Sequence, residues 1–124
     1  MVIVKAAVMG FCAGVRSAVN LVEQAIETGR EQGVPVYTIG SLIHNEQYLE
    51  LLHERGVHVI HRPDEAEPGV AVVRAHGIPR KLYLEFEKAG FLLVDGTCPR
   101  VIRSQKTVRE YSQKGWHIIL AGDP

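Results

Sequence analysis

Two cysteines and two histidines stand in turns of one kind. Cys12 lies in Met9-Gly10-Phe11-Cys12-Ala13-Gly14, His44 in Ile43-His44-Asn45, His76 in Arg74-Ala75-His76-Gly77, and Cys98 in Asp95-Gly96-Thr97-Cys98-Pro99. Each follows a predicted strand and precedes a predicted helix. In a parallel α/β sheet such turns share one edge, and ligands bind there, outside the carboxyl ends of the strands. The four side chains are expected to converge on that face. Their types point to a metal or an anion.

Each residue also has a plainer reading. Free amides at a helix start stabilise a thiolate, the form that nucleophiles and metal ligands need, and Cys12 begins a predicted helix. The alternative is a small buried thiol, a common fate of free cysteine. Cys98 repeats the setting, with Thr97 or Cys98 near the N-cap and Pro99 at the first helical position. Two cysteines in matching turns favour a ligand role. His44 and His76 could ligate metal, transfer protons or, as imidazolium, hold phosphate beside a helix N-terminus. Otherwise each caps a helix or bonds a loop carbonyl.

The remaining polar residues carry weaker signals. His53 reads as mid-helix on a solvated face, His58 and His61 border a strand, and His117 begins a strand at the opposite edge. Arg74 fits a surface or salt-bridge residue, and Asp95 a turn or cap. Arg16, Ser17 and Asn20 form the polar side of the first helix. The G-x-x-x-G spacing from Gly10 to Gly14 matches neither the dinucleotide nor the P-loop pattern. Two cysteines without C-x-x-C are too few for a four-cysteine iron–sulfur site, so a complete cluster needs a further thiolate.

The elements that must position these residues alternate. Val2–Met9 reads as a strand. Val15, Ala18, Val19, Val22, Ala25 and Ile26 then trace one helical face, closed by Gly33. Strands follow at Val36–Ile39, Val57–Ile60, Val70–Val73, Phe91–Val94 and His117–Ala121. A helix over Glu46–Arg55 turns Leu49 and Leu52 inward. One opened by Pro79 uses Leu82, Phe86 and Ala89. One from Pro99 to about Lys114 uses Val101, Ile102, Val108 and Tyr111. Arg62–Gly69 reads as a loop. Strand–helix alternation with short connections predicts α/β with a mostly parallel sheet and helices on both faces. The closing Gly122-Asp123-Pro124 is expected to continue into a longer polypeptide, at a turn like the others.

Composition narrows the function classes. Lys+Arg and Asp+Glu balance at 14 each in 124 residues, and no basic patch favours nucleic acid. No apolar run approaches a membrane span. The N-terminus lacks a signal peptide's basic start and cleavage site, so a cytoplasmic protein is expected. In a reducing cytosol its cysteines are thiols or ligands before they are a disulfide.

Gly10-Phe11-Cys12-Ala13-Gly14-Val15, Ile43-His44-Asn45, Ala75-His76-Gly77 and Asp95-Gly96-Thr97-Cys98-Pro99 together resemble the 4-hydroxy-3-methylbut-2-enyl diphosphate reductase family. Order and separations fit, and the resemblance covers essentially the whole chain. It implies three α/β domains around a [4Fe–4S] cluster held by three cysteines. Cys12 and Cys98 match the first two. His44 and His76 match residues that hold the allylic diphosphate substrate. Its reaction removes the substrate hydroxyl with two electrons from a donor such as ferredoxin or flavodoxin. The resemblance places the third cysteine, a third histidine and an acidic proton donor beyond Pro124. It implies a first domain over residues 1–94, with residues 95–124 opening the next. Arg103 and Gln105 stand where many members have Lys and His. The chain alone is expected to be inactive, iron-poor and prone to self-association. The competing readings are a standalone, non-catalytic thiol- or anion-binding α/β module and a dithiol redox protein. The latter would more often show C-x-x-C.

Overall fold

The structure is a computed structural model that describes residues 1–7 and 9–121. Four short runs rich in Val, Ile and Leu form its sheet: β1 (Val36–Ile39), β2 (Val57–Ile60), β3 (Val70–Val73) and β4 (Leu92–Asp95). All neighbours pair in parallel, in the order β2-β1-β3-β4. The strands are in step: Val36 lies opposite both Val57 and Val70, and Val70 opposite Leu92. The central strands β1 and β3 are buried throughout; β3 is an unbroken apolar run, while β1 buries one polar residue, Thr38.

Four helices accompany the strands: α1 (Ala13–Gln32), α2 (Glu46–Glu54), α3 (Arg80–Lys88) and α4 (Pro99–Gln113). Ala18, Val22, Ala25 and Ile26 of α1 and Leu52 of α2 pack against Val36, Val57, Val70 and Val72. Phe86 of α3 packs on the other face, against Tyr37, Ile39, Ala71 and Val73. Alternate residues of β1 and β3 thus feed two cores, as strand periodicity requires. The α1 helix stops at Gly33, whose φ of 68° suits glycine. The Val34 amide then donates to the Gly29 carbonyl at 3.0 Å, leading into β1 at the amino edge of the sheet. The α1 N-terminus therefore lies toward the carboxyl edge.

Several expected elements differ. Residues 1–7 form no strand and are exposed, and the expected strand at 117–121 is also absent. Both segments are apolar, but no described strand pairs with them, so their amides have no ladder to join. Val8 and residues 122–124, which fall in the expected first strand and closing turn, lie outside the described residues. Pro79 is the N-cap of α3 rather than its first residue, and a 3₁₀ turn, Pro63–Glu65, shapes the loop before β3. Ala89 is exposed rather than inward-facing.

The largest departure is α4. None of its residues is buried, and Val108 and Tyr111 of its apolar stripe are 37% and 43% exposed. A groove of about 650 Å³ runs along it, lined by Val101, Val108 and Leu120 among others. Its periodicity is real, but most of the surface it would cover is not provided by the described residues. No helix among them is long and apolar enough to cross a membrane.

Candidate functional site

The strand order fixes where a ligand can enter. From β1 the chain moves outward to β2, then returns across β1 to β3 and β4. The connections after β1 and β3 therefore leave in opposite directions. A crevice opens between them at the carboxyl ends. These two connections carry His44 and His76. Both imidazoles are exposed, with ring centroids 5.1 Å apart and planes tilted by 48°. Residues 32 positions apart in sequence thus meet at the sheet's switch point.

Backbone bonds extend the sheet's order into the turns. The Ala75 amide donates to the Leu42 carbonyl at 3.3 Å, and the Cys98 amide donates to the Ala75 carbonyl at 2.9 Å. The turns holding His44, His76 and Cys98 are therefore joined in series. Gly77, at φ 77°, lets the chain leave His76, and its α-carbon faces Thr97 closely. The Asp95 carboxylate accepts from the Thr97 amide at 2.9 Å and from its hydroxyl, so Asp95 is the turn-former expected. Arg74 is half-buried and donates to the Gly77 carbonyl at 3.2 Å, which makes it a brace of the His76 turn.

Each cysteine stands at the start of a helix. Cys12 is the N-cap of α1 and Cys98 the N-cap of α4, with Pro99 beginning the helix. Gly14, in the first turn of α1, is buried against the Cys98 side chain; a β-carbon there would collide with Sγ and lie 3.2 Å from Cβ. The two thiols thus flank one point. Both cysteines are free, Cys12 exposed and Cys98 half-buried. The Val15 amide, helped by those of Gly14 and Cys12 itself and by the Arg100 guanidinium, holds the Cys12 thiol below its ordinary range; desolvation opposes it, and is outweighed. Arg100 belongs to α4, so its influence also brings that helix beside Cys12.

The expectation that all four residues share an edge holds, with one correction. Cys12 does not follow a strand; it is delivered to the edge by α1. The four side chains also do not form one chelate. Among the described residues no three His, Cys, Asp or Glu side chains gather to hold a single metal ion. They divide into an imidazole pair and a thiol pair. A cleft of about 710 Å³ opens beside His44, lined by Ser41, Ile43, Asn45 and Glu46 among others. The Asn45 side chain caps α2 by accepting from the Tyr48 amide at 2.9 Å.

Sequence reasoning missed a second histidine pair. His53 of α2 and His58 of β2, both exposed, lie with ring centroids 5.1 Å apart, far from the thiols in the chain order. Only the three-dimensional return of β2 beside its preceding helix reveals it.

Comparison with known proteins agrees on one family. A family model described as "LytB protein" matches residues 3–124. The 4-hydroxy-3-methylbut-2-enyl diphosphate reductase of Alkaliphilus oremlandii is 38% identical over 115 residues, 93% of this chain and 40% of that protein. The enzyme of the same name from Treponema denticola is 38% identical over 128 residues, 99% of this chain and 44% of its own length. A solved structure of (E)-4-hydroxy-3-methyl-but-2-enyl diphosphate reductase, described as the terminal enzyme of the non-mevalonate pathway, matches with a TM-score of 0.78 at 35% identity. It covers 92% of this chain and 40% of its own. The E-1-hydroxy-2-methyl-but-2-enyl-4-diphosphate reductase of Plasmodium falciparum matches with a TM-score of 0.78 at 25% identity, over 86% of this chain and 33% of its own. The chain thus spans about 40% of the length of such relatives.

Proposed function

The chain belongs to the LytB protein family, and we propose that it supplies part of the active site of a 4-hydroxy-3-methylbut-2-enyl diphosphate reductase. The observation that carries this reading is the seating of Cys98 against Gly14, the second residue of the helix whose N-cap position is Cys12. Two thiols brought to one point, one by the turn after β4 and the other by α1, beside an imidazole pair at the switch point, suit a cluster next to an anion.

Cys12 and Cys98 would hold two irons of a [4Fe–4S] cluster, with the third cysteine outside this chain. The donor set fits: Cys12 is exposed and its thiol is held low by helix amides, and Cys98 is presented from a sheet-anchored turn. When bound, the cluster supplies electrons and a Lewis-acidic iron for the substrate hydroxyl. His44 and His76 hold the diphosphate, as charge-assisted donors when protonated. Their separation suits two oxygens of one anion. The turn bonds from Leu42 through Ala75 to Cys98 fix the distance between the diphosphate and the thiols. In the reaction two electrons and two protons remove the allylic hydroxyl as water, giving isopentenyl and dimethylallyl diphosphate. The electrons come from a protein donor such as ferredoxin or flavodoxin. We place the enzyme in the cytoplasm, with no role for membrane or nucleic acid.

Residues 1–94 form the first α/β domain in this proposal and residues 95–124 open the next. That division falls before the last residue of β4, Asp95, in the segment leading to the helix that buries none of its residues. Alone, the chain holds two thiolates and an open apolar flank, so it should be isolated iron-poor, inactive and self-associating. Anaerobic reconstitution with iron and sulfide analysis tests this. A stoichiometric cluster on the monomer, with turnover, would overturn the assignment of a divided site.

A further inference from the structure

Among the described residues before Phe11, none has regular structure: residues 1–7, 9 and 10 are exposed. Phe11, by contrast, is anchored. Its ring meets that of Tyr48 edge to face, with centroids 6.2 Å apart and planes at 71°, an arrangement aromatic pairs favour. Tyr48 is itself fixed at three points. Its amide donates to the Asn45 cap at 2.9 Å, and its half-buried ring packs on the core beneath α1 and α2. Its hydroxyl reaches Glu23 of α1 at 3.4 Å. Glu23 is gripped in turn by both terminal nitrogens of Arg55, each at 2.7 Å. On the other side of Phe11, the Arg16 guanidinium donates to its carbonyl at 3.2 Å.

We propose that Phe11 and Tyr48 form a clamp tying the Cys12 turn to the helix that starts beside His44, and that Tyr48 is a positioning residue for the thiol. Asn45 follows His44 directly, so one aromatic contact links the thiol turn to the imidazole turn. The inference rests on the site roles proposed for Cys12 and His44. Without the clamp, the Gly10-Phe11-Cys12 segment is free to leave α1, and the first turn frays toward Gly14, a poor helix former. The Cys12 carbonyl would then lose the Arg16 amide that starts the helix, and the side chain its fixed place over the first turn. Burial and the Glu23 carboxylate push the Tyr48 hydroxyl up to about 12, so it remains a neutral donor at physiological pH.

The test uses the metal-free, reduced 124-residue chain. Hydrogen–deuterium exchange of the Arg16 amide, which donates to the Cys12 carbonyl at 2.9 Å, is followed by NMR against the Val22 amide further along α1, with circular dichroism as a check on folding. Phe11→Ala and Tyr48→Leu should speed Arg16 exchange severalfold relative to Val22. Tyr48→Phe keeps the ring, so it should leave that ratio at the parent's while losing the Glu23 link. A purely structural role would lower thermal stability in all three without moving the ratio. A folded Phe11→Ala chain with the parental ratio would overturn the clamp. So would a Tyr48→Phe change as large as that of Tyr48→Leu. The readout needs no cluster, so failure of iron binding would count against the proposed function and leave the clamp standing.

Discussion

Cys12 and Cys98 both cap the first turn of a helix, yet the chain reaches them by different routes. Cys98 comes directly off β4, its amide bonded to Ala75 and its side chain half-buried against Gly14. Cys12 follows an exposed segment and is held from behind, by a 20-residue helix whose buried stripe runs across the sheet. One thiol is placed by the sheet and the other by a helix lying on it. A site built this way keeps its geometry only where the two supports meet, at Gly14. It also leaves the two thiols unequal in exposure although their sequence settings look alike.

The largest expected effect treats the two as equals. In the complete reductase, Cys12→Ser or Cys98→Ser should each abolish cluster absorbance and activity, since in the proposed site loss of either thiolate would leave an iron without its ligand. Anaerobic absorbance and iron analysis check this. A Cys12→Ser enzyme with full iron content would break the pairing.

The imidazole pair should behave differently. His44→Ala or His76→Ala should keep the cluster and weaken diphosphate binding by about 1.5–3 kcal/mol, or roughly one to two decades in affinity. Calorimetric titration with the substrate diphosphate measures it. A histidine variant that lost iron but bound diphosphate normally would reverse the assignment.

At the meeting point, Gly14→Ala should destabilise the chain by about 1–3 kcal/mol through overpacking, where an unobstructed helical Gly→Ala change would stabilise by about 0.5–1 kcal/mol. Urea denaturation decides the sign. Combining it with Cys98→Ala should reduce the cost, because the thiol is the nearest obstacle. Strict additivity of the two would mean that α1 and the Cys98 turn do not touch.

Why the two thiols differ was only half legible in the sequence. Both N-caps could be read, because cysteine before a helical pattern, with Pro99 or glycines alongside, is a local signal. The sheet was legible too, because β1 and β3 are short runs, apolar but for Thr38, bounded by Pro35 and Gly40 and by Gly69 and Arg74. The strands expected at 2–9 and 117–121 failed on grounds no local pattern contains: a strand exists only with a partner. The stripe on α4 likewise marks a face that needs covering, without saying what covers it. Gly14 is a purely tertiary requirement. In sequence it is one glycine of a turn, and only the approach of Cys98 makes it necessary. The Tyr48 contact with Phe11 joins residues 37 positions apart and left no periodic trace.

The smallest expected effect probes whether α4 reaches the Cys12 side at all. Arg100 favours the Cys12 thiolate across the gap between the two helices, but less than the Val15 amide does. Arg100→Gln should therefore raise the Cys12 thiol only part of the way back to its ordinary value, leaving it still low. The sign follows from the charge: removing a cation disfavours the anion, so the alkylation inflection moves to higher pH. Stability follows the same linkage. An acid whose folded value is depressed contributes stability above its unfolded value and loses it as pH falls through the folded one. The Gln variant should lose less on acidification through the thiol range than the parent. Raising salt should shrink the difference, because the pair is exposed. An alkylation profile identical to the parent's at low salt would mean that the α4 charge does not reach Cys12, and the proposed convergence of the two thiols would lose its electrostatic support.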